Sequence, residues 1–506
     1  MAEKTQNGKN DLNSNGRLFD VNGNGNENDL KELYTEAAFP RHLVMLGCGA
    51  IGQAILPMLL RHTDITSERI RIITADDMGK SVAERYGIEF IVNPLTPDNY
   101  ASTLKENLSR GDTLLNLSVD VASTDIIVVC QELGVLYLDT SAEQWPGFSS
   151  DPSVPIAERT NYFRTTGKIH ELKRTYANTV TAVANHGANP GLVSHLIKEA
   201  LLHIARDTGG PTDIPKSRED WARLMQMLKV RTIQMAERDT QASTALKQPD
   251  EFVNTWSIDG FLSEATQPAE VGWGTHEKDI PSDGHVHTFG NQAALYFDRP
   301  GALTQVRSWT PREGQYHGFL ITHDECMTTA EYYTLVESEQ VVFRPTVMYA
   351  YHPCDDAVLS LREYAGNNWH PPKKKRILMD DIVRGSDELG VLLMGHKRRA
   401  YWYGSDLSIA QVREMAPKNQ NATTMQVAAG ALAALIWALE NPACGICEPE
   451  DLDFRRILDI AAPYLGTVHG KYTNWTPLRD RKEKDRLFPE DVDANDPWQF
   501  KNFRVM

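Results

Sequence analysis

Residues able to do chemistry gather at a few places along the chain, and at one of them the spacing itself dictates a use. His42-Leu-Val-Met-Leu-Gly47-Cys-Gly49-Ala50-Ile51-Gly52 is an apolar run that stops in a glycine turn and restarts with helical periodicity. Gly47 permits the tight turn, Gly49 lets backbone approach a pyrophosphate, and Gly52 lets helix pack closely on strand. The new helix, opening at Ala50 and Ile51, points its positive end at the phosphates. A second apolar run, Ile70 to Ala75, ends in Asp76-Asp77, where a carboxylate would accept hydrogen bonds from the adenosine ribose. This favours NAD over NADP, because the acid pair would repel a 2′-phosphate. Further on, Ser118, Val119 and Asp120, then Thr140 and Glu143, follow apolar runs, and Asn189 sits in the rigid turn His186-Gly-Ala-Asn-Pro-Gly191. Glu237, Trp256, Glu264 and His323 add carboxylates, an indole and an imidazole. Each has an ordinary alternative: a cap, a surface ion pair, or a core aromatic.

These residues need elements to position them. From Arg41 to about Asn185, short apolar runs (among them Glu89–Val92, Thr113–Val119 and Val135–Asp139) alternate with helical stretches. That is the pattern of βαβ units and a Rossmann-type, doubly wound parallel sheet of the α/β class. Ligands lie beyond the carboxyl ends of such strands, so residues 116–120 and 139–143 should border the cofactor crevice. The turn at 186–191 leads into an apolar helix, Leu192 to Ile204. After it the chain mixes helices, strands, aromatics and carboxylates and reads as a second, α+β substrate and dimerisation domain. Glu237 falls in a helix-like stretch, and Lys373-Lys-Lys-Arg376, after two prolines, reads as a solvated loop. Past Tyr401 helical periodicity returns, and Met425 to Leu439 reads as a buried helix with N-caps among Asn421 to Thr424. The expected division is a disordered tail (1–38), an NAD-binding domain (39–185), a substrate domain (186–400), a helical return to the first domain (401–480) and a C-terminal tail (481–506).

Composition sets outer limits. With 506 residues, 41% hydrophobic, the chain has ample length for a substantial core. A net charge of −16 argues against a nucleic-acid surface and would draw cationic ligands at long range. Six irregularly spaced cysteines make no disulfide framework, and Cys444-Gly-Ile-Cys447 is a single CxxC, which fits the reducing cytoplasm. The most apolar helix is too short for a membrane span and the first residues hold no apolar signal region, so no membrane partner is expected. His285-Val-His287 lacks a third ligand at sensible spacing, so no metal is expected.

The chain resembles the bacterial-type homospermidine synthases, a branch of the saccharopine-dehydrogenase-like oxidoreductases. The resemblance runs from about Arg41 to Tyr472. It rests on the glycine turn, Gly187-Ala-Asn-Pro-Gly191, Ala236-Glu-Arg-Asp-Thr-Gln241, Asn254-Thr-Trp-Ser257 with Glu264, Gly272-Trp-Gly-Thr-His-Glu277, Pro300-Gly-Ala302, Ile321-Thr-His-Asp-Glu325 and Asp387-Glu-Leu-Gly-Val-Leu392. It implies a homodimer with bound NAD that joins two putrescines, or spermidine and putrescine, by lending a hydride out and taking it back through imine intermediates. It also implies a cation-π role for Trp256 and substrate or nicotinamide binding by Asn189 and Asp387. Asp120 and Glu237 would serve at the diamine entrance or in its charge recognition. Glu264 belongs to the same motifs. The attacking amine must be neutral, so a proton acceptor is needed, with Glu143 the first candidate by topology and His323 the second. Two rivals stand beside this reading. A saccharopine-type or carboxynorspermidine-type reductase would need arginines in its pocket, and a non-catalytic NAD-binding sensor would not need Trp256.

Overall fold

The structure, a computed structural model, describes residues 37–147, 151–416, 418–481, 487 and 489–505. The N-terminal tail therefore lies almost wholly outside the described residues. The first sheet is built from β1 (Leu43–Leu46), followed by helix α1 (Ala50–His62), then β2 (Ile70–Thr74), β3 (Glu89–Val92), β4 (Thr113–Asn116), β5 (Leu136–Asp139) and β6 (Ala182–Val183). Every residue of β1, β4 and β5 is buried, which is why these strands read as unbroken apolar runs rather than alternation. Their order is β6-β5-β4-β1-β2-β3, all parallel, with the short strand Ile446–Cys447 added beyond β6. The order reverses between β1 and β4, opening a crevice beyond the carboxyl ends of those strands.

From the 186–191 turn, α2 (Leu192–Thr208) leads into the second domain, whose elements near the crevice are β7 (Thr232–Asp239), β8 (Glu251–Asn254), α3 (Ile258–Thr266), α4 (Asp324–Tyr332), β9 (Thr346–His352) and β10 (Ser386–His396). An eleven-stranded mixed sheet runs through it, with β7 parallel to β9 on one side and antiparallel to β10 on the other. The helix-like reading around Glu237 is thereby corrected. Seven of the eight residues of β7 are buried, so no alternation marks the strand.

Two other expectations change. Lys374–Ile377 is a strand paired in parallel with β8, not a solvated loop, and its cations meet acids: Lys373 with Asp250 at 2.6 Å, Lys375 with Asp259, and Arg376 with Glu251 at 3.0 Å. The residues after 488 do not hang free. Trp498, Phe500 and Phe503 are buried, and Arg504–Val505 pairs with the strand Gln305–Thr310. Three aromatics in six residues were enough apolar surface to fasten the segment, each side chain gaining roughly 1.5–3 kcal/mol on burial.

Stretch 401–480 divides between the sheets. Arg399–Ser408 and Thr467–Thr473 are strands of the second sheet, whereas α5 (Ala422–Glu440) packs on α1 and β5 of the first. Its cap is Asn421, whose Oδ1 accepts from Thr424 N at 2.8 Å while Thr424 Oγ1 accepts from Asn421 N at 3.1 Å, an arrangement worth about 1 kcal/mol. The α5 helix is long and apolar enough to cross a membrane, but 89% of its most apolar window is buried inside the protein. All six cysteines are unpaired.

Candidate active site

The crevice begins at the glycine turn. Gly47 has φ +81°, and a Cβ there would meet Leu117 O at 2.8 Å, so only glycine fits. Gly49 faces open space instead, the nearest atom to a Cβ being Met78 Sδ at 3.9 Å. No side chain caps α1, which leaves the first-turn amides of Ala50 and Ile51 free to receive a phosphate. Gly52 closes the turn, since a Cβ there would lie 3.1 Å from Gly47 O. Asp76 stands exposed just past β2, its Oδ1 accepting from Met78 N at 2.9 Å. A glycine turn, an uncapped helix end and an exposed acid on the neighbouring strand together fit a dinucleotide.

Deeper in, Ile51, Ser118, Val119 and Thr140 of the first domain face Asn189, Glu237, Trp256, Glu264 and His323 of the second across one cavity. Each polar group has an assigned place. Gly187 N donates to Pro190 O at 2.7 Å, and α5 lies against this turn so closely that a Cβ at Gly430 would come within 2.0 Å of Gly187 O. The turn presents Asn189, whose Nδ2 donates to Glu237 Oε2 at 3.0 Å while its Oδ1 lies 2.9 Å from His323 Nδ1. Tyr349 Oη donates to the same Glu237 oxygen at 2.6 Å. Ser257 caps α3 by accepting from Gly260 N at 3.1 Å, which sets Gly260 and Glu264 on one helical face under Trp256. His323 sits at the N-cap position of α4 without a side-chain capping bond, and its Nε2 lies 3.0 Å from Glu264 Oε2 with Glu325 Oε1 3.3 Å from Nδ1.

Electrostatics follow from burial and these contacts. Burial alone would lower the His323 imidazole, but the flanking carboxylates of Glu264 and Glu325 outweigh it and hold the ring well above its ordinary value. Burial raises the Glu237 carboxyl, and the hydrogen bonds from Tyr349 and Asn189 oppose it only in part. Glu143, desolvated and close to Glu264, Asp120 and Asp139, is pushed up to about 8. The cavity thus offers an indole face, carboxyl groups and one imidazolium, with no lysine or arginine among the described residues that line it.

Comparison with known proteins gives this arrangement a family. Residues 43–183 match the saccharopine dehydrogenase NADP binding domain, and 187–473 match the saccharopine dehydrogenase C-terminal domain. The homospermidine synthase of Mesorhizobium japonicum is 45% identical over 94% of this chain and 98% of its own. That of Blastochloris viridis is 47% identical over 92% and 97%. This chain belongs to the homospermidine synthases. The crystal structure of the Legionella pneumophila homospermidine synthase in complex with NAD superposes with a TM-score of 0.85 at 44% identity, covering 93% of this chain and 99% of that one. Although the matched domain is described for NADP, the relative's structure holds NAD, as the acid pair at 76–77 led us to expect.

In this chain the expected residues separate into three layers. Asn189, Glu237, Trp256, Glu264, His323 and Glu143 wall the cavity. Asp120 is exposed and lines an adjoining outer cavity, which shares Glu143, Glu264 and His323 with the first and also meets Arg159, Asn161, Arg164 and Asp324. Asp120 therefore lines this cavity and not the one walled by Asn189, Glu237 and Trp256. Asp387 stands one layer back. Thr423, which does line the cavity, donates to Asp387 Oδ2 at 2.6 Å. Burial, with Glu237 and Asp239 nearby, raises the Asp387 carboxyl well above its ordinary value. No site role falls from the sequence to Tyr349, Tyr351, Glu325 or Thr423. The one signal for the tyrosines was their spacing of two along an apolar strand, which reads equally as core.

Proposed function

We propose that this protein is an NAD-dependent aminobutyl transferase that joins two putrescines, or spermidine and putrescine, into homospermidine with release of ammonia or 1,3-diaminopropane. The carrying observation is the cavity wall, where an indole and three acidic side chains, Glu143, Glu237 and Glu264, surround a space that no lysine or arginine among the described residues enters. A diammonium chain fits such a lining, because a cation over an indole gains about 0.5–2 kcal/mol or more when water is excluded. An amino-acid carboxylate does not fit it, and this disfavours the reductase reading.

Bound NAD supplies temporary oxidation of the amine-bearing carbon and its later reduction, so no net redox change occurs. The chain's own groups do the rest. Glu237, braced by Asn189 and Tyr349, binds the far ammonium of the first diamine. Trp256 faces the neutral amine whose carbon is oxidised and stabilises the positive charge that develops on that nitrogen as the carbon becomes an imine. The His323 imidazolium, paired with Glu264, donates a proton to the departing nitrogen. Glu143 accepts the proton of the incoming amine, which must be neutral to attack. Asp120, at the outer cavity, draws in the second diamine, and the net charge of −16 favours the approach of cations. The family resemblance supports a homodimer, and the six unpaired cysteines suit the cytoplasm.

The test is to incubate the protein with NAD and putrescine deuterated on its amine-bearing carbons, then follow products by mass spectrometry and reduced nicotinamide by absorbance. Homospermidine that retains the transferred deuterium, with no lasting NADH, is the expected result. Steady NADH accumulation would instead mark an ordinary amine dehydrogenase.

A further inference from the structure

We propose that Tyr349 and Tyr351 form a ruler that fixes the spacing of the two cation anchors and so selects the length of the diamine; this rests on the polyamine reading above. The two tyrosines stand at i and i+2 on β9 and therefore share one face of the strand. Their rings stack, with centroids 5.2 Å apart and planes 15° from parallel. Each hydroxyl holds a different anchor. Tyr349 Oη donates to Glu237 Oε2 at 2.6 Å, and Tyr351 Oη accepts from Trp256 Nε1 at 2.9 Å.

Neither anchor can move alone. Phe261 packs on both Trp256 and Tyr351, at 5.5 and 5.8 Å between centroids, and the His323 ring lies 4.5 Å from that of Tyr349. Both tyrosines are buried, with 3% and 1% of their surface exposed. Beneath them β9 pairs with β7 in a register that sets Tyr351 beside Glu237. The two anchors thus hang from side chains two residues of strand rise apart, about 6–7 Å at the backbone, whose rings stack 5.2 Å apart. An extended four-carbon diamine spans about 6 Å between nitrogens at ordinary bond lengths. One methylene more or less shifts the reacting carbon by roughly 1 Å, a displacement that can cost about a hundredfold in rate.

The tyrosines act through Glu237 and Trp256, so they are positioning residues, and the readout must be selectivity rather than rate alone. Triamine formation is measured by mass spectrometry from 1,3-diaminopropane, putrescine or 1,5-diaminopentane, each alone with NAD, for the unaltered protein and for Tyr351→Phe. Phenylalanine keeps the ring and the stack but releases the indole. The expected result is a fall of about tenfold in kcat/KM for putrescine with little change for 1,5-diaminopentane, so the preference between them collapses, together with a shift in indole fluorescence. Tyr349→Phe, which frees Glu237 instead, should erode the same preference without the indole shift, and it carries the test should Tyr351→Phe fail to fold. Equal losses for all three diamines, or no loss, would overturn the ruler. If the unaltered protein made no homospermidine from putrescine, the underlying functional reading would fail instead.

Discussion

The two ends of the crevice are built in opposite ways. At the phosphate end a single contiguous stretch, residues 43–62, supplies the strand, turn and helix, with one acid from the neighbouring strand. At the substrate end Asn189, Glu237, Glu264, His323 and Tyr349 come from separate elements and are cross-linked by hydrogen bonds into one network, with Trp256 bonded to Tyr351, whose ring stacks on that of Tyr349. The first is a local solution to a general problem, holding a dinucleotide. The second is assembled by the fold and is specific to the chemistry, so damage there should fall on turnover, whereas damage at the turn should fall on cofactor affinity.

Substitutions can break that contrast. Glu237→Gln should cost most, about 10²–10³-fold in kcat/KM for putrescine, since an ammonium would lose its buried partner. Dinucleotide affinity, read by quenching of protein fluorescence, should hold. Trp256→Ala should cost about 30-fold, near the upper range of a desolvated cation-π contact, again with the dinucleotide still bound. Unchanged turnover would refute the cation role of the indole. Asp76→Asn works from the other end, with about tenfold weaker NAD binding and an unaltered KM for putrescine. A rise in the putrescine KM would show that the two ends are not separable.

The smallest effect at neutral pH concerns Glu143. Its carboxyl is raised to about 8 by burial and neighbouring acids, so in the free protein it becomes a base only as pH climbs through that value. The kcat/KM for putrescine should rise across pH 7–9, and Glu143→Gln should flatten that limb. The linked stability runs the other way. The folded state holds this proton more tightly than the unfolded chain, so Glu143 lowers stability progressively as pH rises from about 4.5 to 8.

The same contrast explains what the sequence made legible. Gly47, Gly49 and Gly52 could be read at once, because turn, approach and packing are all local demands. Asn189 was legible for the same reason, lying in a turn whose glycines and proline announce it. Glu237 was assigned to a helix-like stretch but lies on a strand, since a strand buried on both faces shows no period of two. Asp387 was brought to the site by its motif, yet only the sheet reveals that Thr423 stands between it and the cavity. Arg159 and Arg164 had no local signal at all. They reach the outer cavity on a segment whose amides, Asn161 N and Tyr162 N, are held by the buried Glu270 more than a hundred residues away.

The ladder of ion pairs between Lys373–Arg376 and the acids Asp250, Glu251 and Asp259 reaches the strand that ends two residues before Trp256. The two lysine pairs are exposed, individually weak and fade as ionic strength rises, whereas Arg376–Glu251 is largely buried and is screened less. Added salt therefore acts twice on this protein, diluting the long-range pull on incoming dications and loosening a brace behind the indole that receives them. A salt titration of diamine turnover will fold the two together. The indole's own emission, followed over the same titration without diamine, isolates the second.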